Sequence, residues 1–160
     1  MKMRTGFGYD VHQLAEGRQL WLGGILIPHG KGSIAHSDGD ILIHALCDAM
    51  LGAAKLRDIG YHFPDTSDEF KGIDSKILLQ RTCELVRQKG YTLENADITI
   101  AAQHPKLKDY IPDMEQTLAR IIGVDSDDIS VKATTTERLG FEGREEGISV
   151  YAVVLMSKQI

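Results

Sequence analysis

The sequence predicts a single α+β domain, spanning residues 1–160, with a mixed β-sheet and helices packed on one face. The length of 160 residues suits one domain that can bury a core. Apolar residues alternate with period two near both ends of the chain and in its middle, which indicates strands. Between these segments, three stretches combine a helical apolar period or a long apolar run with cap signals. Such an order favours a layered structure with strands and helices in separate layers.

The first predicted strand covers residues 3–9 and contains Gly6 and Gly8, which allow a chain segment or a ligand to approach closely. The extended chain continues through Asp10 and His12, and residues two apart in a strand point to the same side. One oxygen and one nitrogen donor facing a single point form a candidate half of a zinc site, although a solvated strand end is the commoner outcome for such a triplet. Residues 20–27 follow as a predicted hairpin.

A helix is predicted over residues 41–54, where nearly every position is apolar or small, so it should be buried all round. Ser37 or Asp38 is expected to cap it. Asp40, His44 and Asp48 are spaced four apart and share one face of this helix.

A core histidine bonded to a nearby acid would be the ordinary explanation for His44 alone. Together with Asp10 and His12, however, His44 completes a three-donor set that leaves one coordination position open, as catalytic zinc sites do. Asp40, one turn earlier, is the candidate for orienting its imidazole ring.

Residues 58–73 show no periodicity and are expected to form a long functional loop, with glycines that would suit a lid. Asp58 and Asp65 are its polar residues of interest, although turn formation alone would explain both. Two further helices are predicted over residues 75–89 and 111–122. Strands are predicted over residues 91–102, 129–136 and 148–156, and a loop over residues 138–144.

A run of three threonines and a glutamate, Thr134 to Glu137, ends the predicted strand that begins at Ile129. Hydroxyl donors beside a carboxylate suit a magnesium ion that bridges phosphates. Threonine is also a good strand former, which is the simpler explanation of the run.

Composition and charge narrow the classes of function. The net charge is −5 with no basic block, which argues against nucleic-acid binding. No apolar run is long enough to span a membrane and no secretory signal is apparent, so we expect a cytoplasmic protein. Cys47 and Cys83 lack metal-binding spacing and are expected to be reduced, partly buried thiols.

Several short motifs occur in a fixed order along the chain: residues 8–12, 35–40 with His44, 58–60, 63–66, 132–137, 140–141 and 143–144. Together they resemble the family of 2-C-methyl-D-erythritol 2,4-cyclodiphosphate synthases, from Gly6 to about Met156. The resemblance implies conversion of 4-diphosphocytidyl-2-C-methyl-D-erythritol 2-phosphate to the 2,4-cyclic diphosphate with release of CMP. That reaction belongs to non-mevalonate isoprenoid biosynthesis and is a metal-assisted intramolecular phosphoryl transfer by a phosphorus–oxygen lyase.

The resemblance also implies roles for particular residues. It places zinc on Asp10, His12 and His44, and a magnesium or manganese ion on Glu137. It makes His36 and Thr135 catalytic. The substrate-binding residues it implies are Asp10, His12, His36, Ser37, Asp58, Ile59, Gly60, Phe63, Asp65, Ala102, Lys106, Thr134, Thr135, Thr136, Glu137, Phe141 and Arg144.

The resemblance further implies a homotrimer, with the sheets facing its axis and active sites between neighbouring subunits. Residues 102–108 would then hold the cytosine, and residues 63–67 would fold over the erythritol. Phe141 and Arg144 would lie near an axial cavity for which an isoprenoid diphosphate is a candidate ligand.

Two other functions are compatible with the same residues. A zinc phosphohydrolase would use the open metal position to activate water and would release a linear phosphate. A non-enzymatic trimer that binds metal or an isoprenoid diphosphate would use the cavity near Phe141 and Arg144.

Overall fold

A five-stranded mixed sheet organises the chain in the computed structural model, which describes residues 1–160, and its spatial strand order is β4–β1–β7–β5–β6. Only the β5–β6 pair is parallel. The strands are β1 Lys2–Glu16, β2 Leu20–Leu22, β3 Ile25–Ile27, β4 Lys31–Ser33, β5 Tyr91–Ala101, β6 Ile129–Thr134 and β7 Gly147–Lys158. The helices are α1 Ile41–Ala53, α2 Ile59–His62, α3 Ser75–Gln88, α4 Ile111–Ile122 and α5 Gly140–Gly143.

The predicted α+β class and the mixed sheet are confirmed, and α1, α3 and α4 lie on one face. Helix α1 packs against β1 and β7 at the centre of the core, and ten of its 13 residues are buried. Strands β2 and β3 form the predicted hairpin, which turns at Gly23 and Gly24. None of the helices has the length and apolar character needed to cross a membrane.

Gly6 and Gly8 let α1 lie directly on β1. A Cβ atom added to Gly8 would stand 1.9 Å from the carbonyl oxygen of Ala45, and one added to Gly6 would stand 1.9 Å from that of Ala49. Both distances are far inside van der Waals contact, so the predicted close approach at these glycines is made by α1.

Three segments differ from the sequence-based expectation. Residues 58–73 are not an unstructured loop, because they contain α2 and a 3₁₀ turn at Asp68–Phe70, in which Phe70 is buried. Residues 140–143 form the short helix α5 rather than a loop. The short edge strand β4 was not predicted, since three residues carry too little pattern to be recognised.

The other face of the sheet is left open by the single chain and carries large apolar side chains. Its exposed members include Phe7, Tyr9, Val11, Tyr151 and Val153, which are between 40% and 63% exposed. The rings of Tyr9 and Tyr151 lie 5.2 Å apart across the β1–β7 pair. A contiguous apolar patch of this kind marks an interaction surface.

Candidate active site

Three side chains from β1 and α1 converge on one point. Asp10 Oδ2 lies 3.1 Å from His12 Nε2 and 3.3 Å from His44 Nδ1. All three potential ligand atoms lie within 4.8 Å of one another, so Asp10, His12 and His44 could hold a metal ion. The prediction that two strand residues and one helix residue share a metal-binding point is therefore confirmed in its geometry.

The charges at this point favour a shared cation. Burial alone would raise the pKa of Asp10, but hydrogen bonds from His12 and His44 outweigh it and hold the pKa well below its usual range. Burial likewise disfavours the His12 imidazolium, yet the hydrogen bond to Asp10 carries the net pKa of His12 above its ordinary value. The carboxylate therefore attracts positive charge, which a proton or a metal ion can supply.

The two histidines face this point through different ring nitrogens. His12 Nδ1 lies 3.1 Å from the carbonyl oxygen of Gly39, which can only accept, so His12 donates there and turns its Nε2 towards the shared point. His44 turns Nδ1 inwards, while its Nε2 lies 3.0 Å from Ser75 Oγ and 3.2 Å from Ser37 Oγ. Two nitrogens and one oxygen on a part-buried carboxylate–imidazole cluster form a donor set that fits zinc and similar ions.

Asp40 does not orient the His44 ring, so that prediction is wrong. Its buried carboxylate instead accepts hydrogen bonds from the amides of Gly23, Gly24 and Ile43, at 3.0, 2.7 and 3.0 Å. Asp40 is thereby the N-cap of α1, a role that we predicted for Ser37 or Asp38. The helical spacing placed Asp40 near His44, but the hairpin turn supplies partners that spacing along one helix cannot reveal.

A cavity of about 380 Å³ opens beside the three donors. It brings together these residues from the predicted site: Asp10, His12, His36, Ser37, His44, Ile59, Gly60, Phe63 and Asp65. Asp58 stands outside this lining, exposed at the residue before α2. Sequence reasoning missed the apolar wall made by Ile34, Ala35, Phe70, Ile73 and Leu78. Phe70 could have been noticed as an isolated aromatic in a polar stretch.

Residues 63–73 are tied to the loop that carries His36. His36 Nε2 donates to the carbonyl oxygen of Ser67 at 2.9 Å, and Gly72 donates its amide to the carbonyl oxygen of His36 at 2.7 Å. The rings of Phe63 and Phe70 pack edge to face at 5.6 Å. The segment therefore forms a structured wall of the cavity.

A second cavity, of about 230 Å³, lies at the ends of β5 and β6. Its lining includes Ala102, Lys106, Thr134 and Thr135 from the predicted site, together with Gln103, Pro105 and Leu107. Gln103 Oε1 accepts the amide of Arg138 at 3.1 Å, which links this loop to the turn after the threonines. Glu137 and Arg138 both adopt left-handed backbone with φ of 56° and 64°, a costly conformation that is enriched at functional sites.

The two cavities are separated within one chain. Asp10 pairs with Val150, Val150 with Ile100, and Ile100 with Ala133, so Asp10 and Ala133 occupy one row of the sheet. Three strand spacings of about 4.8 Å place them about 14 Å apart. Asp10 and His12 point to the helix side, because β1 alternates and Gly6 and Gly8 face α1.

Phe141 and Arg144 lie away from both cavities. Phe141 is half-buried in α5, and the exposed Arg144 pairs with Glu146, with its Nε 2.8 Å from Oε1. Thr136 Oγ1 donates to the carbonyl oxygen of Leu139 at 2.6 Å, which leaves Thr134 and Thr135 as the threonines that face the second cavity.

Fold and site together define a class: a single-domain α+β protein with a three-donor metal-binding point beside a cavity of metabolite size. The model of the YgbB family matches residues 3–157. The 2-C-methyl-D-erythritol 2,4-cyclodiphosphate synthase of Bacteroides fragilis is 65% identical over 158 residues, covering 99% of this chain and 99% of that protein. This chain belongs to the YgbB family, the family of the cyclodiphosphate synthases.

Solved structures agree with that assignment. A 2C-methyl-D-erythritol-2,4-cyclodiphosphate synthase solved in its CDP-bound form is 38% identical, with a TM-score of 0.89, over 96% of this chain and 100% of that one. The bifunctional IspDF from Campylobacter jejuni is 47% identical with a TM-score of 0.95. The match covers 99% of this chain and 43% of that longer protein.

Proposed function

We propose that this chain is an enzyme that converts 4-diphosphocytidyl-2-C-methyl-D-erythritol 2-phosphate to 2-C-methyl-D-erythritol 2,4-cyclodiphosphate and CMP. The observation that carries the proposal is the convergence of Asp10, His12 and His44 beside a cavity lined by His36 and Ser37. Membership in the YgbB family supports the same reaction. The product forms within one molecule without added water, so we class the enzyme as a phosphorus–oxygen lyase. Its soluble phosphorylated substrate is consistent with a cytoplasmic enzyme.

The reaction requires positioning more than base catalysis. An oxygen of the substrate's 2-phosphate attacks the β-phosphorus, a new P–O bond closes the ring, and the bond to CMP breaks. The attacking phosphate is already anionic near neutral pH, so no strong base has to remove a proton. The enzyme must instead bring several anionic groups together, and orientation and charge neutralisation supply most of such a rate.

We assign the divalent ion of the first cavity to Asp10, His12 and His44, with zinc as the ion that this donor set favours. When bound, it would supply Lewis-acid polarisation and charge neutralisation at the reacting phosphate. His36 keeps its Nδ1 free while Nε2 bonds to Ser67, and we assign His36 and Ser37 to holding the phosphates in the attacking geometry. The amides of Gly39, Asp40 and Ile43 bond to side chains of the same segment, so these three amides are not available to the anion.

The erythritol would occupy the part of the cavity formed by Ile59, Gly60, Phe63 and Asp65. Asp48 Oδ1 accepts the amide of Ile59 at 2.7 Å, which fixes the start of α2 as a wall for the sugar chain. Asp58, just before α2, would contact only those substrate hydroxyls that lie at the mouth of the cavity.

The CDP portion would bind at the second cavity. We assign the buried Ala102 and the exposed Lys106 to the cytosine, and Thr134 and Thr135 to the phosphates, with Thr135 also catalytic. Thr136 would contact the phosphates through its backbone, because its hydroxyl is bonded to Leu139. The exposed Glu137 carboxylate forms no ion pair within the chain. Carboxylates are the ligands of magnesium and manganese, so we assign such an ion to Glu137 and the diphosphate.

We further propose a homotrimer in which the first cavity of one subunit meets the second cavity of its neighbour. The separation of about 14 Å within one chain supports this arrangement, because phosphates of one substrate must reach both. The open apolar face of β1 and β7 would be buried around the trimer axis. Phe141 and Arg144 would border an axial cavity in which an isoprenoid diphosphate is our candidate ligand.

Product analysis by phosphorus NMR tests the proposed reaction. The purified protein with substrate and magnesium should give a cyclic diphosphate and stoichiometric CMP, and the His44→Ala variant should give neither. A linear phosphate would instead establish the phosphohydrolase, which the open metal position also permits. Absence of any product from folded, zinc-loaded protein would support the alternative of a non-enzymatic protein that binds metal or an isoprenoid diphosphate.

A further inference from the structure

We infer that Asp38 and Ser75 form a relay that fixes the ring orientation and tautomer of His44, so that its Nδ1 is available to the metal ion. The inference rests on the metal site of the proposed function and adds two positioning residues to it. Neither residue lies among the three donors, and Ser75 comes from α3, 31 residues after His44.

The Asp38 carboxylate accepts hydrogen bonds from two segments of the chain. Ser75 donates its hydroxyl to Oδ1 and its backbone amide to Oδ2, the latter at 2.9 Å. Asp40 donates its amide to Oδ1 at 3.1 Å. A backbone bond of 3.1 Å from the Asp38 amide to the carbonyl oxygen of Ile73 holds the same segments together. Asp38 therefore fixes both the position of Ser75 and the direction of its hydroxyl proton.

The direction of that proton decides the state of His44. A carboxylate accepts only, so the single hydroxyl proton of Ser75 is committed to Asp38. Ser75 Oγ can then only accept from His44 Nε2, 3.0 Å away, and His44 must carry its proton on Nε2. Nδ1 is left to face Asp10 Oδ2 at 3.3 Å, where a bound metal ion would replace the proton shared with that carboxylate.

Ser37 is the less suitable partner for the same nitrogen. Its Oγ is 3.2 Å from His44 Nε2, but it also accepts the Gly39 amide and lines the substrate cavity. Ser75 is fully buried in the first turn of α3 and does not line that cavity. Metal-binding histidines commonly donate their second nitrogen to a carboxylate or carbonyl. Here a serine stands between the histidine and the carboxylate.

Zinc affinity, measured by competition with a chromophoric chelator, tests the relay without recourse to activity. Ser75→Ala and Asp38→Asn should each bind zinc about 10- to 100-fold more weakly than the wild type. In Asp38→Asn, the amide has one acceptor oxygen in place of two, so the Ser75 hydroxyl is released to donate to His44. Asp74→Ala is the matched control, because Asp74 caps the same helix through the Lys76 amide and has no contact with His44.

The tautomer itself is the second readout. Nitrogen NMR of histidine-labelled, zinc-loaded protein should show His44 bound through Nδ1 with its proton on Nε2 in the wild type and in Asp74→Ala, with a second form that lacks the Nε2 proton appearing in Asp38→Asn. Wild-type affinity and tautomer in folded Ser75→Ala and Asp38→Asn would overturn the relay, as would an equal loss in Asp74→Ala. A wild type that binds no zinc would overturn the proposed metal site itself.

Discussion

The carboxylate of Asp40 accepts the backbone amide of Gly24 at 2.7 Å, which joins the turn of the β2–β3 hairpin to the start of α1. The same carboxylate caps α1 through Ile43 and also holds the amide of Gly23. One buried side chain thus satisfies three backbone donors from two segments, and it fixes the loop that carries His36 and Ser37 relative to the core.

Replacing Asp40 should therefore be severely destabilising. Asp40→Ala leaves three amides without partners, two of them buried, and we expect a loss of about 3–5 kcal/mol in the free energy of unfolding, measured with urea. Asp40→Asn keeps one acceptor oxygen, so its free energy of unfolding should fall by clearly less than that of Asp40→Ala. Equal losses for both variants would show that the negative charge of the carboxylate, rather than the number of hydrogen bonds it accepts, sets the effect.

Gly8 should be equally intolerant of a side chain. In Gly8→Ala the new Cβ would meet the Ala45 carbonyl oxygen at 1.9 Å, so α1 would have to move away from β1 and carry His44 with it. We expect lower stability and weaker zinc binding, measured by thermal unfolding and chelator competition.

Gly52→Ala is the control for that substitution, since a Cβ there meets nothing within 4 Å and Gly52 is exposed near the end of α1. It should leave zinc binding unchanged and raise stability by about 0.5–1 kcal/mol. Normal zinc affinity in Gly8→Ala would contradict the close packing that we describe.

Arg144 and Glu146 provide a prediction about pH. The hydrogen bond from Arg144 lowers the pKa of Glu146 below its ordinary 4.5, so the folded chain favours the charged carboxylate. The resulting stabilisation is present above the ordinary pKa and is lost as the pH falls through the lowered one. In Arg144→Gln the Glu146 pKa should rise towards 4.5, as followed by carbon NMR of the carboxyl groups. An unchanged titration would mean that the pair does not persist in solution.

The open face of the sheet should control assembly. Val153 is 48% exposed there and pairs with Phe7, so Val153→Asp should convert the proposed trimer to monomers in sedimentation velocity, because it buries a charge in an apolar interface. Ile77→Asp is the control, since Ile77 is 41% exposed on α3, away from this face. A Val153→Asp variant that stays trimeric would place the interface elsewhere. A monomeric wild type would contradict the proposed trimer.

Local patterns in the sequence predicted most of the fold. Alternation located β1, β5, β6 and β7, and the helices predicted over residues 75–89 and 111–122 correspond to α3 and α4. The two-residue spacing of Asp10 and His12 and the predicted burial of His44 indicated that these three potential metal donors lie together, as the structure shows.

What sequence could not supply were partnerships between distant segments. Asp40 bonds to a hairpin 16 residues away, and Ser75 approaches His44 from another helix. Such contacts depend on how α1, α3 and the hairpin pack, which no single-segment period encodes. The apolar wall at Phe70 and Leu78 was missed for the same reason.

The central claim is that the metal-binding cavity of one subunit and the threonine cavity of its neighbour form one phosphoryl-transfer site, and mixing two inactive variants tests it most directly. His12→Ala disables the first cavity and Thr135→Ala the second, so each homotrimer should be inactive or nearly so. If the two are dissociated together and reassembled at random, about one quarter of the interfaces in a three-membered ring join two intact halves. We predict that CMP release returns to about one quarter of the wild-type rate, whereas a mixture as inactive as each variant alone would contradict a site shared between subunits.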